Sequence, residues 1–314
     1  MSIKCEDIFN CIEEFAPLQL AEPWDNSGLN LGHGDNKLNG GALLCLDVTS
    51  GAVDEACRVN ANLIISHHPM IFTPVKKIDT SKPLGRLIRK LIFNDISVYC
   101  AHTNVDKTYG GLNDLLLGLL GMAPIADALS QANTVHADLN DYPGVGANTG
   151  ANTDYDADPR LSPETGANVG YDADPQFFRI GVLQRDYGFE EFCGYVSSRL
   201  KLEDIMGTGS ALTGWTEGRN EKLIRKVAVM CGSFDLSLDI LKSENVDAVV
   251  SGEMKHHQLL ELNEMGIYAV VAGHHGTERF FVNLLEKWIN GKYPEIKVFK
   301  YGFEMHPLKR INVT

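Results

Sequence analysis

Imidazoles and carboxylates carry most of the chemistry this chain can offer. Of ten histidines, seven fall in four groups: His67 with His68, His102, His256 with His257, and His274 with His275. Each group follows an apolar run, so these side chains are expected at the carboxyl edge of a sheet, where α/β proteins place their ligands. His102 and Asp106, like His274 and Glu278, are four positions apart, a spacing that puts two side chains on one face of a helical turn. Imidazole and carboxylate without thiolate suit zinc, iron, manganese, cobalt or nickel in a partly open site. Adjacent histidines on a strand point to opposite sides. At a strand end broken by Pro69, His67 and His68 can splay toward two ions, the arrangement of a dinuclear centre with cations about 3.5–4 Å apart. The seven cysteines contain no Cys-x-x-Cys pair, so neither a disulfide framework nor a thiolate zinc site is signalled, and none is given a catalytic role.

The elements that must position these groups alternate along the chain. Apolar residues at helical intervals over 1–20 predict an amphipathic helix, followed by a loop through Trp24, Asp25 and Asn26 that either lines a cavity mouth or caps a turn. Strands are expected at 43–48, 63–66 and 96–101, with helices at 52–59 and 84–93 between them. Asn113 and Asp114 are expected to start a helix through 115–120. The rhythm resumes with strands at 178–183, 227–231, 248–251, 267–272 and 297–301, and helices at 189–200, 236–241, 258–265 and 277–289. This βαβ order predicts an α/β fold with mixed, mostly parallel sheets.

Two stretches, 42–68 and 227–257, each read as strand, cysteine, helix, strand, serine and then a histidine pair, as a duplicated unit would. Two similar α/β lobes, about 1–129 and 177–314, are therefore expected, with the metal site in the cleft between them. Residues 130–176 turn to Asn, Asp, Gly, Pro and Thr and repeat Tyr-Asp-Ala-Asp-Pro, which reads as a linker or surface excursion rather than a calcium loop.

Six ordered motifs make the chain resemble the Nif-three-like family, also known as the GTP cyclohydrolase type two group. They are Pro23-Trp24-Asp25-Asn26-Ser27-Gly28-Leu29, Ser66-His67-His68-Pro69, His102-Thr103-Asn104-Val105-Asp106, Gly110-Gly111-Leu112-Asn113, Ser251-Gly252-Glu253 with its histidine pair, and Gly273-His274-His275-Gly276-Thr277-Glu278-Arg279. The resemblance covers roughly 1–125 and 178–314. It implies two α/β lobes assembled into a ring-shaped homohexamer, with two divalent metal ions facing an inner cavity. Its ligands would be His67, His68, Asp106, His274 and Glu278, with Glu278 bridging, while His102, Glu253, His256 and His257 would stand behind them or in the substrate pocket.

The residues support metal-assisted hydrolysis. The resemblance makes GTP or a related nucleotide the expected substrate, with the second ion or His102 polarising the departing nitrogen, Glu253 or a neighbouring histidine moving protons, and Lys107, Lys255 and Arg279 near its phosphates. A metal-dependent phosphoesterase needs the same ligands, and a non-enzymatic hexamer that stores metal, acts as a chaperone or binds a regulatory partner needs no reaction at all. Composition narrows the field differently. With 28 basic against 41 acidic residues, net −13, the field of the protein opposes general nucleic-acid binding. No apolar run is long enough to span a bilayer, so a cytoplasmic protein without a membrane partner is expected.

Overall fold

The computed structural model describes residues 2–124, 176–208 and 222–301. The chain divides into two units: Met1–Thr108 with Phe281–Thr314, and Tyr109–Phe280. Unit 1 begins with α1 (Cys5–Phe15), β1 (Gly28–Leu31), β2 (Ala42–Cys45), α2 (Ser50–Val59), β3 (Leu63–Ser66), α3 (Pro83–Phe93), β4 (Ser97–Cys100) and α4 (Thr103–Lys107). Unit 2 follows with α5 (Leu112–Leu119), β5 (Ala123–Pro124), β6 (Arg179–Tyr187), α6 (Phe189–Leu200), β7 (Met206–Thr208), β8 (Ile224–Ser233), α7 (Leu238–Ser243), β9 (Ala248–Glu253), α8 (His256–Glu264), β10 (Tyr268–Val271) and α9 (His274–Glu278). The chain returns to unit 1 with α10 (Phe281–Lys292) and β11 (Val298–Lys300).

In unit 1 the sheet order is β1-β4-β3-β2-β11, parallel except for β1. Every residue of β2, β3 and β4 is buried, as expected of parallel strands covered on both faces. One face packs Leu43, Cys45, Ile64 and Val98 against α2 and Leu91 of α3. On the other, Phe9 of α1 stacks on Tyr99 at 4.5 Å, and α1 meets α10, where Phe15 stacks on Trp288 at 5.0 Å. Helix ends follow their chemistry: Thr49 accepts the Ala52 N–H to cap α2, whose C-cap Asn60 takes the left-handed conformation, and Pro83 opens α3.

In unit 2 the order is β5-β6-β8-β9-β10-β7, parallel only across β8, β9 and β10. Ile180, Ala228, Met230, Val249 and Ala269 form its core with Leu241 and Leu262 from the crossover helices. Asp114 grips Arg179 through two bonds of 2.8 and 2.9 Å, a buried bidentate pair tying α5 to β6.

The α/β class and the two mixed sheets match expectation, with corrections in detail. The parallel bias holds in unit 1, whereas in unit 2 β5, β6 and β7 pair antiparallel. The expected lobe limits near 129 and 177 differ from the observed division. Residues 109–124 pair with the second sheet through β5, and β11 pairs with β2 in the first. The helix expected over 277–289 is two helices, α9 and α10, because the chain passes from unit 2 to unit 1 at Phe280–Phe281. Asn113 does not cap α5; Gly111 stands at that position, and Asn113 instead receives the Cys231 N–H at 2.7 Å. The repeat is real in register: Cys45 lies beside Ser66 and Met230 beside Ser251, 21 positions apart in both, so Met230 rather than Cys231 is the counterpart of Cys45. Apart from Gln176, the 130–176 segment lies outside the described residues. Among the described residues no helix is long and apolar enough to cross a membrane.

Cys5, Cys11, Cys45, Cys100 and Cys231 are buried, and Cys57 and Cys193 are half-buried. Burial pushes the thiols of Cys5 and Cys11 up to about 11 and that of Cys100 well above its ordinary value. Ellman's reagent at about pH 8 should therefore label at most the two half-buried cysteines quickly and all seven after unfolding. Rapid labelling of five or more in the native protein would contradict this packing.

Candidate metal centre

The histidines of unit 1 sit on a hydrogen-bonded frame that outlasts its strands. The His67 and His68 N–H groups donate to Cys45 and Leu46 at 3.1 and 2.9 Å, and the Ala101 N–H donates to Ser66 at 2.9 Å. Each ring is then fixed from behind. His67 Nδ1 lies 3.1 Å from the Ala101 carbonyl, His68 Nδ1 3.0 Å from Asp47 Oδ1, and His102 Nδ1 2.8 Å from Asp25 Oδ1. A carbonyl or carboxylate oxygen only accepts, so in all three rings Nδ1 carries the hydrogen and Nε2 of the neutral imidazole carries the lone pair. The ring centroids are 5.0–5.5 Å apart, and one ring nitrogen from each residue lies within 4.8 Å of the other two. Asp106, buried on α4, brings Oδ1 to 3.8 Å from His67 Nε2. Three imidazoles with a shared tautomer, each backed by an oxygen, are the donor set of a divalent transition-metal site, and the residues fit such an ion.

Asp25 organises the His102 side. Its Oδ1 also accepts the Asn26 N–H at 2.7 Å, and its Oδ2 accepts the Ser27 and Thr103 hydroxyls, each at 2.6 Å, and the Thr103 N–H at 3.2 Å. Burial raises its pKa, but the hydrogen bond and charge of His102 and the two hydroxyls outweigh that effect and hold the carboxyl well below the usual range. α4 is pinned in turn, because Asn104 Nδ2 donates to the Ala16 carbonyl at 2.7 Å and the Thr108 hydroxyl to that of Phe15 at 2.6 Å. Strand β1, which is not among the strands expected from the sequence, delivers this segment: Gly28 pairs with Cys100, and Ser27 Oγ receives the His102 N–H at 3.3 Å.

Unit 2 supplies a second, smaller set. On the single turn α9, Glu278 Oε2 lies 2.9 Å from His274 Nε2, the contact that their four-residue spacing predicts. Glu253 Oε2 stands 3.4 Å from His274 Nδ1 and largely exposed, which makes it a positioner of that ring. Gly232, at φ +62°, lies so close that a Cβ there would come 2.3 Å from Glu278 Oε1 and 3.4 Å from His274 Nε2. A Cβ at Gly252 would meet the Gly232 carbonyl at 2.6 Å and the His274 backbone at 2.8 Å. Thr277 closes the arrangement, its hydroxyl accepting the Gly232 N–H at 3.1 Å and donating to the His274 carbonyl at 2.9 Å. Gly252 and Thr277 lie in the sequence motifs, whereas only its close approach reveals Gly232 as a site residue.

The other expected participants fare differently. His102 stands in the imidazole group itself, not behind it. His256 and His257 are exposed on the first turn of α8 and, among the described residues, join no metal-competent group. Lys107 pairs with Glu22 at 3.1 Å, and Arg279 donates to the Leu200 and Lys201 carbonyls, so both cations are engaged within the protein. Asp25 and Asp47 were absent from the expected site because nothing in their spacing links them to His102 and His68.

The model of the family described as Duf34/NIF3 (NGG1p interacting factor 3) matches residues 3–307. A Clostridium acetobutylicum protein named GTP cyclohydrolase 1 type 2 homolog is 30% identical over 291 residues, which is 93% of this chain and 91% of that protein. NGG1-interacting factor 3 of Saccharomyces cerevisiae is 30% identical over 288 residues, 88% and 87% of the two chains. In fold, a hypothetical protein of Staphylococcus aureus superposes with a TM-score of 0.74 at 21% identity, covering 99% of this chain and all of the other. A Bacillus cereus protein related to NIF3 gives 0.74 at 24%, with the same coverage.

Two substitutions test the site's construction. Asp25→Asn removes a charged acceptor from His102 and should weaken metal binding by about 10- to 100-fold. Because the Asp25 carboxyl is depressed in the folded state, its contribution to stability is complete above about pH 4 and fades as pH falls further. The variant should accordingly melt lower than the parent at neutral pH, with the difference shrinking in acid; equal melting at pH 7 would contradict the role. Gly232→Ala should lower stability by more than about 1 kcal/mol, and an unchanged melting curve would show that the close approach is not real.

Proposed function

The chain belongs to the Duf34/NIF3 family, and from that membership and its imidazole geometry we propose that it is a metal-dependent hydrolase acting on a guanine or related nucleotide. The observation that carries the reading is the shared tautomer of His67, His68 and His102, each with Nδ1 backed by an oxygen. His67, His68, His102 and Asp106 of unit 1, and His274 and Glu278 of unit 2, are the residues that would hold the divalent cations. When bound, divalent cations would supply Lewis acidity toward water and toward a carbonyl oxygen, ring nitrogen or phosphoryl oxygen.

The chain's own groups do the remainder. Asp25 keeps the proton of His102 on Nδ1, leaving its Nε2 lone pair for a cation beside those of His67 and His68. Glu253 holds His274 from behind and, being exposed, exchanges protons with solvent. The buried His67 and Asp106 limit water around the centre. The name of the clostridial relative supports guanine nucleotides as substrates. We further propose that the protein is cytoplasmic and acts as a ring-shaped homohexamer, which the exposed His256 and His257 do not oppose.

Metal analysis and turnover on the same preparation test the reading. At neutral pH about two divalent ions per chain are expected. Neutral imidazole binds a cation and imidazolium does not, so occupancy should fall as pH drops below about 6.5. His67→Ala and Glu278→Gln should each lose metal and abolish nucleotide turnover in a protein that stays folded. Formate release identifies a cyclohydrolase and phosphate release a phosphoesterase, while metal binding with no turnover across a nucleotide panel would overturn the hydrolase reading in favour of a storage or partner-binding role.

A further inference from the structure

Beside the imidazole group, unit 1 carries an aromatic pair that metal chemistry leaves unused. Trp24 and Phe72 are 55% and 52% exposed, although an indole and a phenyl ring in water gain nothing from the hydrophobic effect. Their centroids lie 6.0 Å apart with the rings tilted by 43°, and the indole meets the His102 ring nearly edge-on, at 6.2 Å and 75°. The main chain around both is firmly tied. Asn26 Nδ2 donates to the Ile71 carbonyl at 2.5 Å, the Ile71 N–H donates to Asn30 Oδ1 at 3.3 Å, and Asn30 Nδ2 donates to the Asn26 carbonyl at 2.8 Å. Asp25, next to Trp24, accepts five hydrogen bonds. Two half-exposed rings thus stand on pinned segments, which is the preorganisation that lets an aromatic surface bind at low entropic cost.

We propose that Trp24 and Phe72 form a stacking platform for a planar aromatic heterocycle of the nucleobase type, and that they present its edge to His102. Three rings set at 43° and 75° to one another form a notch for a flat ring rather than the smooth face that a helix or sheet would cover. Every base has a π face, so the platform supplies affinity and placement while leaving base identity to other contacts. The inference deepens the nucleotide reading above, but stacking needs no metal and can be examined without it.

The test uses protein stripped with EDTA, with guanosine, adenosine and ribose 5-phosphate as probes and binding read by calorimetry and tryptophan fluorescence. Both nucleosides should bind and change the emission, and ribose 5-phosphate should do neither. Trp24→Ala and Phe72→Ala should each weaken nucleoside binding by at least about fivefold, and Trp24→Phe should recover part of the loss. Both residues are exposed, so circular dichroism and melting should match the parent, and Trp24→Phe keeps the comparison open if an alanine variant misfolds. Failure of nucleosides to bind, equal binding of ribose 5-phosphate, or affinities unaffected by all three substitutions would overturn the platform. Stacking that persists in a protein unable to reload metal would leave the platform standing and remove the hydrolase reading alone.

Discussion

The hydrogen bond behind each imidazole is the constraint from which the candidate centre follows. A neutral histidine has two tautomers, and a free ring samples both. An oxygen fixed at Nδ1 selects one and aims the remaining lone pair along a set direction. Here the three oxygens come from different sources: a backbone carbonyl just past β4, a carboxylate just past β2 and a carboxylate ahead of β1. The sheet is therefore more than a support for the histidines, because its register sets which oxygen meets which ring.

The depressed carboxyl of Asp25 shows how such a frame is sustained energetically. Burying a carboxylate is costly unless its lone pairs are occupied. Asp25 meets that condition with five donors, two of them hydroxyls at 2.6 Å. The same logic recurs away from the site in Asp114, which is paired with Arg179 and also accepts the Gly110 N–H at 2.8 Å. Asp25 in unit 1 and Asp114 in unit 2 are thus both carboxylates held by several donors.

Much of this was legible in the amino-acid order. The crossovers from β2 through α2 to β3 and from β8 through α7 to β9 followed from periodicity, and histidines after apolar runs marked the carboxyl edges. Less visible were features set by contacts distant along the chain. Asp47 and Asp25 are 21 and 77 positions from the rings they hold. β1, with Asn30 between its two leucines, lacks the continuous apolar run that marks the equally short β2 and β3. Gly232 matters through what a methyl group would strike, and composition does not encode that. The break at Phe280 was hidden because helical periodicity runs across it, while the change of unit that causes it belongs to the tertiary fold.

Unit 1 is discontinuous in sequence and unit 2 is not. During synthesis, every residue of the second unit leaves the ribosome before α10 and β11 exist, so the outer edge of β2 stays without its partner while a whole αβ body can close further along the chain. Strand β2 thus gains this neighbour only after the whole of unit 2 has been made, a long-range pairing that slows completion of the first sheet.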